Sequence, residues 1–184
     1  MTVTSGTHHL GSDTGQLVLR TFRDGLAATA GHDLVIDVPR WSGELTVQPD
    51  GTPATLEVHA DLGSLAVREG TGGLKPLTDR DRREIAGNAR KLLGTDRQPD
   101  AVFTATRFDL SGDGGTVEGT FTLRGVSRPL RLQVARIAPA RYRATGTVVQ
   151  SDYGIKPYTA FFGALKVRDP VDVEVETAVP ESGS

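Results

Sequence analysis

The chain of 184 residues contains no cysteine, one tryptophan and no long uninterrupted hydrophobic run. The lack of cysteine excludes disulfide bonds and thiolate chemistry, and it leaves the redox compartment undetermined. No stretch approaches the roughly 20 apolar residues that a transmembrane helix needs. Residues 1–9 have neither the basic segment nor the apolar segment of a secretory signal. From these absences we expect a cytoplasmic protein.

The charges are nearly balanced, with 21 basic and 23 acidic side chains and a net charge of -2. Because the basic residues form no excess or cluster, nucleic acid is not an expected partner. Hydrophobic residues make up 37% of the chain, which is typical of a folded globular protein rather than a disordered one. The length favours a single domain with a sizeable core.

The clearest pattern is a pair of alternating runs on either side of Gly125 and Pro129, between Glu118 and Val134. Apolar residues occupy every second position of both runs, as Phe121 does in the first. This alternation is typical of half-buried antiparallel strands. Glycine permits a positive φ, and proline removes a backbone donor at the start of the second run. The stretch therefore predicts a β-hairpin.

Similar strand signals recur along most of the chain. They predict strands at residues 16–22, 34–38, 44–47, 54–61, 101–110, 116–124, 127–137, 142–150 and 167–179. The glycines between residues 63 and 73 indicate a loop. So many strands at hairpin spacing favour an antiparallel barrel or sandwich, and closure into a barrel removes unpaired edges.

One segment has a helical period instead. Between Thr78 and Leu93, the apolar residues recur on one helical face, at positions 85, 89, 92 and 93. Thr78 or Asp79 is suited to cap the N-terminus, and Gly94 is suited to end the helix. We therefore predict an all-β antiparallel barrel or sandwich of about eight strands, with one α-helix between the early and middle strands. Its expected boundaries are a flexible tail at 1–14, the domain at 15–179 and a tail at 180–184.

Four segments resemble motifs of the YceI-like, polyisoprenoid-binding family. Residues 119–132 resemble its Gly-x-Leu-Thr-x-x-Gly-Val-Thr-Lys-Pro-Val hairpin. Residues 31–33 (Gly-His-Asp), 99–103 (Pro-Asp-Ala-Val-Phe) and 151–155 (Ser-Asp-Tyr-Gly-Ile) are similar to further motifs in the expected order. The resemblance implies a lipocalin-like barrel whose tunnel takes a long apolar chain, such as a prenyl tail or a quinone. Family members often pair, so a homodimer is an open expectation.

The chain departs from the family pattern at two places. Gln150 stands where the family often has arginine. The segment Arg80–Ile85 lacks the paired phenylalanines of the corresponding family motif. These departures affect the predicted ligand more than the predicted fold.

The apolar phase of the strands supplies the candidate ligand-binding residues. A filled core gives the same alternation as a cavity, and the family resemblance favours the cavity. The aromatic segment from Tyr153 to Phe162 suits either a lining of the barrel mouth or a plug. The complete expected lining is Phe22, Leu34, Ile36, Leu56, Val58, Phe103, Phe121, Leu123, Leu130, Leu132, Val134, Val148, Tyr153, Phe161 and Phe162.

We expect the barrel to bind a hydrophobic small molecule, an isoprenoid, quinone or other lipid-like chain, with no further cofactor. Candidates for holding a polar headgroup are His32, Asp152 and Tyr153. No two histidines have the spacing of metal ligands within one element, so no metal site is expected. Two alternatives stay open: an enzyme that uses His32 and Asp33 in the same cavity, and a ligand-free stress or interaction module with a core filled by aromatic residues.

Overall fold

The structure, a computed structural model, describes residues 2–182. The long strands in this range are β2 (Gly6–Gly11), β3 (Gly15–Thr21), β5 (His32–Asp37), β6 (Trp41–Val47), β7 (Pro53–Asp61), β8 (Ala66–Gly72), β9 (Asp100–Ser111), β10 (Gly114–Leu123), β11 (Val126–Ala138), β12 (Arg141–Val149) and β15 (Pro170–Ala178). Short strands are β1 (Thr2–Val3), β4 (Arg23–Asp24), β13 (Thr159–Ala160), β14 (Leu165–Val167) and β16 (Glu181–Ser182). The α-helix is α1 (Asp79–Leu93), and 3-10 helices span Ala28–Ala30, Leu62–Ser64, Gln150–Tyr153 and Phe161–Gly163.

Within residues 2–182, the eleven long strands form one curled antiparallel sheet in the order β2-β6-β7-β9-β10-β11-β12-β15-β3-β5-β8. The apolar residues of the strands meet inside the curl, around a core that includes Leu17, Ile36 and Leu123. The predicted lipocalin-like, mainly β fold is confirmed.

The hairpin at the centre of the sequence joins β10 to β11. Leu123 pairs with Val126, and the two turn residues, Arg124 and Gly125, have φ values of 53° and 74°. Positive φ at both central residues is the geometry that tight hairpins prefer. β11 begins before Pro129, and its pairing with β12 starts only at Gln133. The missing N–H of Pro129 therefore costs no bond to β12.

The helix has the predicted ends. Thr78 Oγ1 accepts a hydrogen bond from Asp81 N at 3.2 Å, and Asp81 Oδ2 accepts one from Thr78 N at 2.8 Å. These reciprocal bonds form a capping box, which satisfies two backbone donors at the helix start. At the other end Gly94 has φ 66°, the left-handed conformation of a helix C-cap.

Two predictions about the edges of the fold were wrong. Residues 6–11, assigned to a flexible tail, form β2 and pair with β6 from Gly6–Val47 to Gly11–Ser42. The segment 66–72, assigned to a loop, forms β8 and pairs with β5. These two strands raise the nine expected segments to eleven. Both are rich in glycine or polar residues and lack clean alternation, and most of their residues are exposed or half-buried.

The predicted closure of the barrel also differs. Along the described chain, the hydrogen-bonded order starts at β2 and ends at β8, so the sheet curls without closing. The helix packs against β8, which covers that edge. The opposite edge strand, β2, lies close to β3 and β15. The curl is therefore completed by packing rather than by a backbone ladder.

The C-terminal segment, predicted to be a tail, is also anchored as far as it is described. β16 pairs with β1, and the Glu181 carboxylate receives hydrogen bonds from Arg136 Nε at 2.7 Å and from Tyr142 Oη at 2.6 Å. The Glu181 side chain is only 6% exposed. Hydrogen bonds from Arg136 and then Tyr142 lower the pKa of Glu181 from 4.5 to about 2. Burial, followed by the bond to Glu181, raises the pKa of Tyr142 to about 12.

The anchored carboxylate predicts an acid-dependent loss of stability. Glu181 has a lower pKa in the folded chain than in the unfolded one, so its contribution is complete above about pH 4.5 and declines towards about pH 2. The variant Glu181→Gln should therefore lose less stability between about pH 7 and about pH 3 than the wild type. Urea unfolding followed by the fluorescence of the buried Trp41 measures the difference.

A matched control is Glu44→Gln, since the Glu44 side chain is 60% exposed and lies 3.8 Å from an exposed histidine, His9. The control should keep the wild-type dependence on pH. An unchanged acid dependence in Glu181→Gln would contradict the proposed anchor.

The helix offers a separate test of stability at Gly87. A Cβ added to Gly87 meets no atom within 4 Å, and the residue lies in the interior of α1. Glycine in a helix interior is about 1 kcal/mol less favourable than alanine. The variant Gly87→Ala should raise the free energy of unfolding by about this amount, which denaturant titration can measure. A loss of stability would show that the helix interior at Gly87 is more crowded than described.

Candidate functional site

A cavity of about 320 Å³ lies between the inner face of the sheet and helix α1. Aliphatic side chains make up most of its wall. Its volume falls at the lower end of the range of cavities that hold small molecules, about 300–1,000 Å³. The curled sheet thus encloses an apolar space rather than a completely filled core.

The helix provides one wall of this cavity. Ile85, Ala89, Leu92 and Leu93, the four apolar residues that share a helical face, all line it. The hydrophobic stripe of α1 is therefore directed towards the cavity and the sheet.

The sheet and the segments beside it provide the other walls. β3, β5, β10, β12 and β15 contribute Leu19, Leu34, Ile36, Phe121, Leu123, Val148, Val171 and Val173. Short connecting segments add Leu62, Leu65, Ile155, Tyr158, Leu165 and Val167.

Polar side chains also line the cavity, and within residues 2–182 none of them is a carboxylate. Arg23, His32 and Lys166 carry or can carry positive charge, and Asn88 and Gln150 add amide groups. Arg23 lies 3.9 Å from the Asp33 carboxylate, and the Gln150 amide nitrogen donates to the carbonyl oxygen of Arg168. The positive charge at the wall, with Lys166 and Asn88 as further donors, suits a ligand headgroup that accepts hydrogen bonds.

His32 is held in place by the backbone of a neighbouring loop. Its Nε2 lies 2.8 Å from the carbonyl oxygen of Lys75, so this nitrogen carries the proton and donates. The neighbouring Asp33 accepts a hydrogen bond from the backbone N–H of Arg23 at 2.9 Å. The guanidinium of Arg23 donates to the carbonyl oxygen of Gly31 at 2.7 Å. These bonds fix the geometry of the segment that carries His32.

Of the predicted lining residues, five lie on the cavity wall: Leu34, Ile36, Phe121, Leu123 and Val148. Among the headgroup candidates, His32 lies there too. All six belong to the end of the barrel that α1 covers.

Seven further strand and strand-end residues do not belong to this wall: Phe22, Leu56, Val58, Phe103, Leu130, Leu132 and Val134. Phe22 has the wrong phase, since its neighbours Thr21 and Arg23 line the cavity. The others lie away from the space beneath α1. Phe103, for example, is buried against Gly119, where an added Cβ would lie 2.5 Å from its ring. Alternation identified the apolar phase but not which part of it borders empty space.

The aromatic segment differs most from expectation. Phe161 and Phe162 are 65% and 113% exposed and do not line the cavity. Both have positive φ, 49° and 54°, a conformation that residues with a Cβ rarely adopt. Tyr158 is the aromatic residue of this segment that lines the cavity.

The other two headgroup candidates lie behind the wall. Tyr153 is buried, and its ring meets that of Phe121 edge-on at 5.4 Å. Burial raises the pKa of Tyr153. Asp152 is exposed, and its backbone carbonyl accepts a hydrogen bond from Arg128 at 3.4 Å. Neither residue is part of the cavity wall.

Some lining residues were outside the sequence prediction. Leu62 and Leu65 flank a glycine in a segment assigned to a loop, and Leu165 follows the irregular aromatic segment. The apolar face of α1 was recognised, but its use as a cavity wall was not. The signal was available, because an amphipathic helix beside a barrel must bury its stripe against the barrel.

Two kinds of feature are absent from the described residues. No helix within residues 2–182 is long and apolar enough to cross a membrane. The same range contains no group of three or more His, Asp or Glu side chains placed to hold a metal ion.

Within residues 2–182, a curled antiparallel sheet surrounds an apolar cavity and one α-helix covers it. This architecture places the protein in the lipocalin-like class of β-barrels. Within that class, a sequence profile of the YceI-like domain matches residues 24–179. The chain therefore belongs to the YceI-like family, as the sequence motifs predicted.

Part of the chain is similar in sequence to bacterial proteins named UPF0312. The UPF0312 protein ECA1782 of Pectobacterium atrosepticum is 27% identical over 115 residues, which cover 58% of this chain and 59% of that protein. The UPF0312 protein Shewana3_1179 of Shewanella sp. (strain ANA-3) is 30% identical over 114 residues, with coverage of 56% and 55%. The chain thus spans less than two thirds of the length of these relatives.

Solved structures of YceI proteins have a similar fold. The crystal structure of the YceI protein of Campylobacter jejuni superposes with a TM-score of 0.59 at 16% identity, covering 80% of this chain and 85% of the other. A mutant CJ YceI protein with a monobromobimane guest has a TM-score of 0.60 at the same identity and coverage. At this identity the match concerns the fold alone.

The position of His32 can be tested at Gly73. Gly73 has φ 71°, and an added Cβ would lie 2.3 Å from His32 Nε2. Gly163 has a similar φ of 85° but open space around it. Both alanine variants carry strain of about 1 kcal/mol or more, and Gly73→Ala should also displace the imidazole and break its bond to Lys75.

Urea titration and the NMR signals of the His32 ring measure these two effects. Gly73→Ala should be the less stable variant and should shift the His32 signals. Equal losses of stability and unchanged His32 signals would contradict the described packing.

Proposed function

We propose that this protein binds a hydrophobic small molecule, an isoprenoid, quinone or other lipid-like chain, in the cavity between the sheet and α1. The observation that carries the proposal is the cavity itself, which is lined by aliphatic residues such as Leu92, Leu123 and Val173 and has a volume of about 320 Å³. Transfer of an apolar chain from water into such a space is favourable by about 25 cal/mol per Å² of buried surface, before the costs of binding. Membership of the YceI-like family supports the same interpretation.

The polar residues of the cavity suggest how the headgroup is held. Arg23, His32 and Lys166 line the cavity, and no carboxylate of the described chain does so. A headgroup that accepts hydrogen bonds, such as a quinone carbonyl, a carboxylate or a phosphate, is therefore favoured over a cationic one. These residues replace Asp152 and Tyr153 as the proposed headgroup site.

The two alternatives have less support. An enzyme that uses His32 and Asp33 would need both groups directed at a substrate. However, Asp33 does not line the cavity, and one of its oxygens accepts from Arg23 N. A ligand-free module would have an interior filled by aromatic residues, but Phe161 and Phe162 are on the surface.

The first experiment is native mass spectrometry and lipid extraction of gently purified protein. We expect an added mass that dissociates on denaturation and that is identified in the extract as an amphiphile with an apolar chain. Titration of the delipidated protein with a prenyl alcohol, a short-chain ubiquinone and a fatty acid then compares headgroups. Protein that carries no lipid and responds to none of these probes would overturn the proposal.

A variant that fills the cavity provides the matched test. Ala89 lies on the cavity side of α1, so the ring in Ala89→Phe should enter the empty space and weaken binding at least about tenfold. Glu84→Phe adds the same ring to an exposed position of the same helix and should bind normally. Equal affinities for both variants would show that the ligand binds elsewhere.

A further inference from the structure

The large hydrophobic residues on the surface are concentrated at one place. Seven are exposed within residues 2–182, and two of them, Leu110 and Ile137, are at the far ends of β9 and β11. The other five belong to three loops beside the cavity: Leu26, Leu74, Tyr158, Phe161 and Phe162. We name the three loops, residues 25–32, 70–78 and 154–168, the mouth rim.

Backbone contacts join these loops into one surface. Ala27 N donates to the carbonyl oxygen of Ala164 at 2.9 Å, which ties the first loop to the third. The bond between His32 and the Lys75 carbonyl ties the first loop to the second. His32 and Tyr158 are themselves cavity-lining residues. The exposed hydrophobic residues therefore surround the opening of the cavity.

Two of these exposed residues have an unfavourable backbone conformation. Phe161 and Phe162 are consecutive non-glycine residues with positive φ, a conformation that side chains with a Cβ rarely adopt. Leu26 is 99% exposed and Leu74 is 79% exposed. Burial of such side chains in the folded chain would normally be favourable. Strained and exposed apolar residues together indicate a surface that is completed by a partner.

The charge of the mouth rim indicates which partner. The three loops carry Lys75, Lys156, Lys166 and Arg168 and no acidic residue, although the whole chain has a net charge of -2. Five carboxylates adjoin these loops in sequence. Asp24, Asp33 and Asp169 accept hydrogen bonds from the backbone N–H groups of Gly25, Arg23 and Ser151, Asp79 lies 3.7 Å from Arg82, and Glu69 is exposed. Apolar side chains surrounded by basic ones match the interface of a bilayer that contains anionic lipids.

We propose that the mouth rim is a docking surface for an anionic lipid bilayer. Phe161, Phe162, Leu26 and Leu74 insert between the headgroups, and the basic residues bind the lipid phosphates. Docking in this orientation places the opening of the cavity against the bilayer, so that an apolar chain can pass between them without crossing water. A second copy of the chain suits this surface less well, since two basic rims would face each other.

The test is flotation of the protein with lipid vesicles. Wild-type protein should bind vesicles of mixed phosphatidylglycerol and phosphatidylcholine, and should bind phosphatidylcholine vesicles weakly. Added salt should reduce binding, because it screens the basic residues. The double variant Phe161→Ser with Phe162→Ser should bind these vesicles at least roughly tenfold more weakly than the wild type. The double variant Lys156→Glu with Arg168→Glu should lose the preference for phosphatidylglycerol.

Leu110→Ser with Ile137→Ser is the matched control, since it removes two exposed hydrophobic residues away from the mouth rim. This control should bind vesicles as the wild type does, and circular dichroism checks that each variant is folded. Three results would overturn the proposal: no binding to anionic vesicles, equal binding by the Phe161 and Phe162 variant, or a wild-type dimer that this variant dissociates. The last result would assign the rim to a second copy.

Docking gives the proposed ligand a route, but the two proposals can fail separately. Ala89→Phe should still float with anionic vesicles although its cavity is filled. Vesicle binding by a protein that takes up no lipid would reject the proposed function and keep the docking surface. Lipid uptake by a protein that never binds vesicles would reject the docking surface alone.

Discussion

The structure depends on one packing relationship, the contact of the apolar stripe of α1 with the open end of a curled sheet. The sheet does not close through hydrogen bonds in the described chain, and the helix packs against its edge strand β8. The same helix face borders the cavity through Ile85 and Leu92. Because the helix spans the opening without filling it, the contact that stabilises the barrel also leaves the apolar space. The site and the fold therefore have a common origin.

Charged side chains, rather than a second layer of helices or strands, cover part of the outer surface of the barrel. Val18 is fully buried although its neighbours in sequence, Leu17 and Leu19, face the interior. Its cross-strand partners are Asp37 and Glu174, whose carboxylates pair with arginines of adjacent strands. Long arginine stems can cover apolar surface while their charged ends stay in water. The charged residues that looked like ordinary surface thus also cover a buried valine.

Much of the fold could be predicted from local signals, because those signals have local causes. The turn at Gly125 follows from the need for positive φ, and the helix follows from its cap at Thr78 and its apolar period. β2 and β8 escaped prediction because their strand character comes from their partners, β6 and β5, rather than from their own pattern. Propensity describes a segment alone, whereas pairing is a property of two segments.

The candidate site could be predicted less completely for a related reason. Alternation separates inner from outer residues, but both Leu123 beside the cavity and Phe103, which is buried against Gly119, satisfy it. Which of them borders empty space depends on where the helix lies, and this is a long-range feature. The exposure of Phe161 and Phe162 could likewise not be predicted from the sequence pattern, because aromatic residues are usually buried.

The pairing of β1 with β16 brings Thr2 directly opposite Ser182. The two described ends thus lie side by side, held together by this ladder and by a hydrogen bond from Ser182 Oγ to the carbonyl oxygen of Thr2 at 3.1 Å. In topological terms, a short linker joining these ends would leave every strand neighbour unchanged. The chain could then be opened at another exposed turn, such as the one at Gly112. The order of the elements along the chain is therefore less essential to this barrel than their order in the sheet.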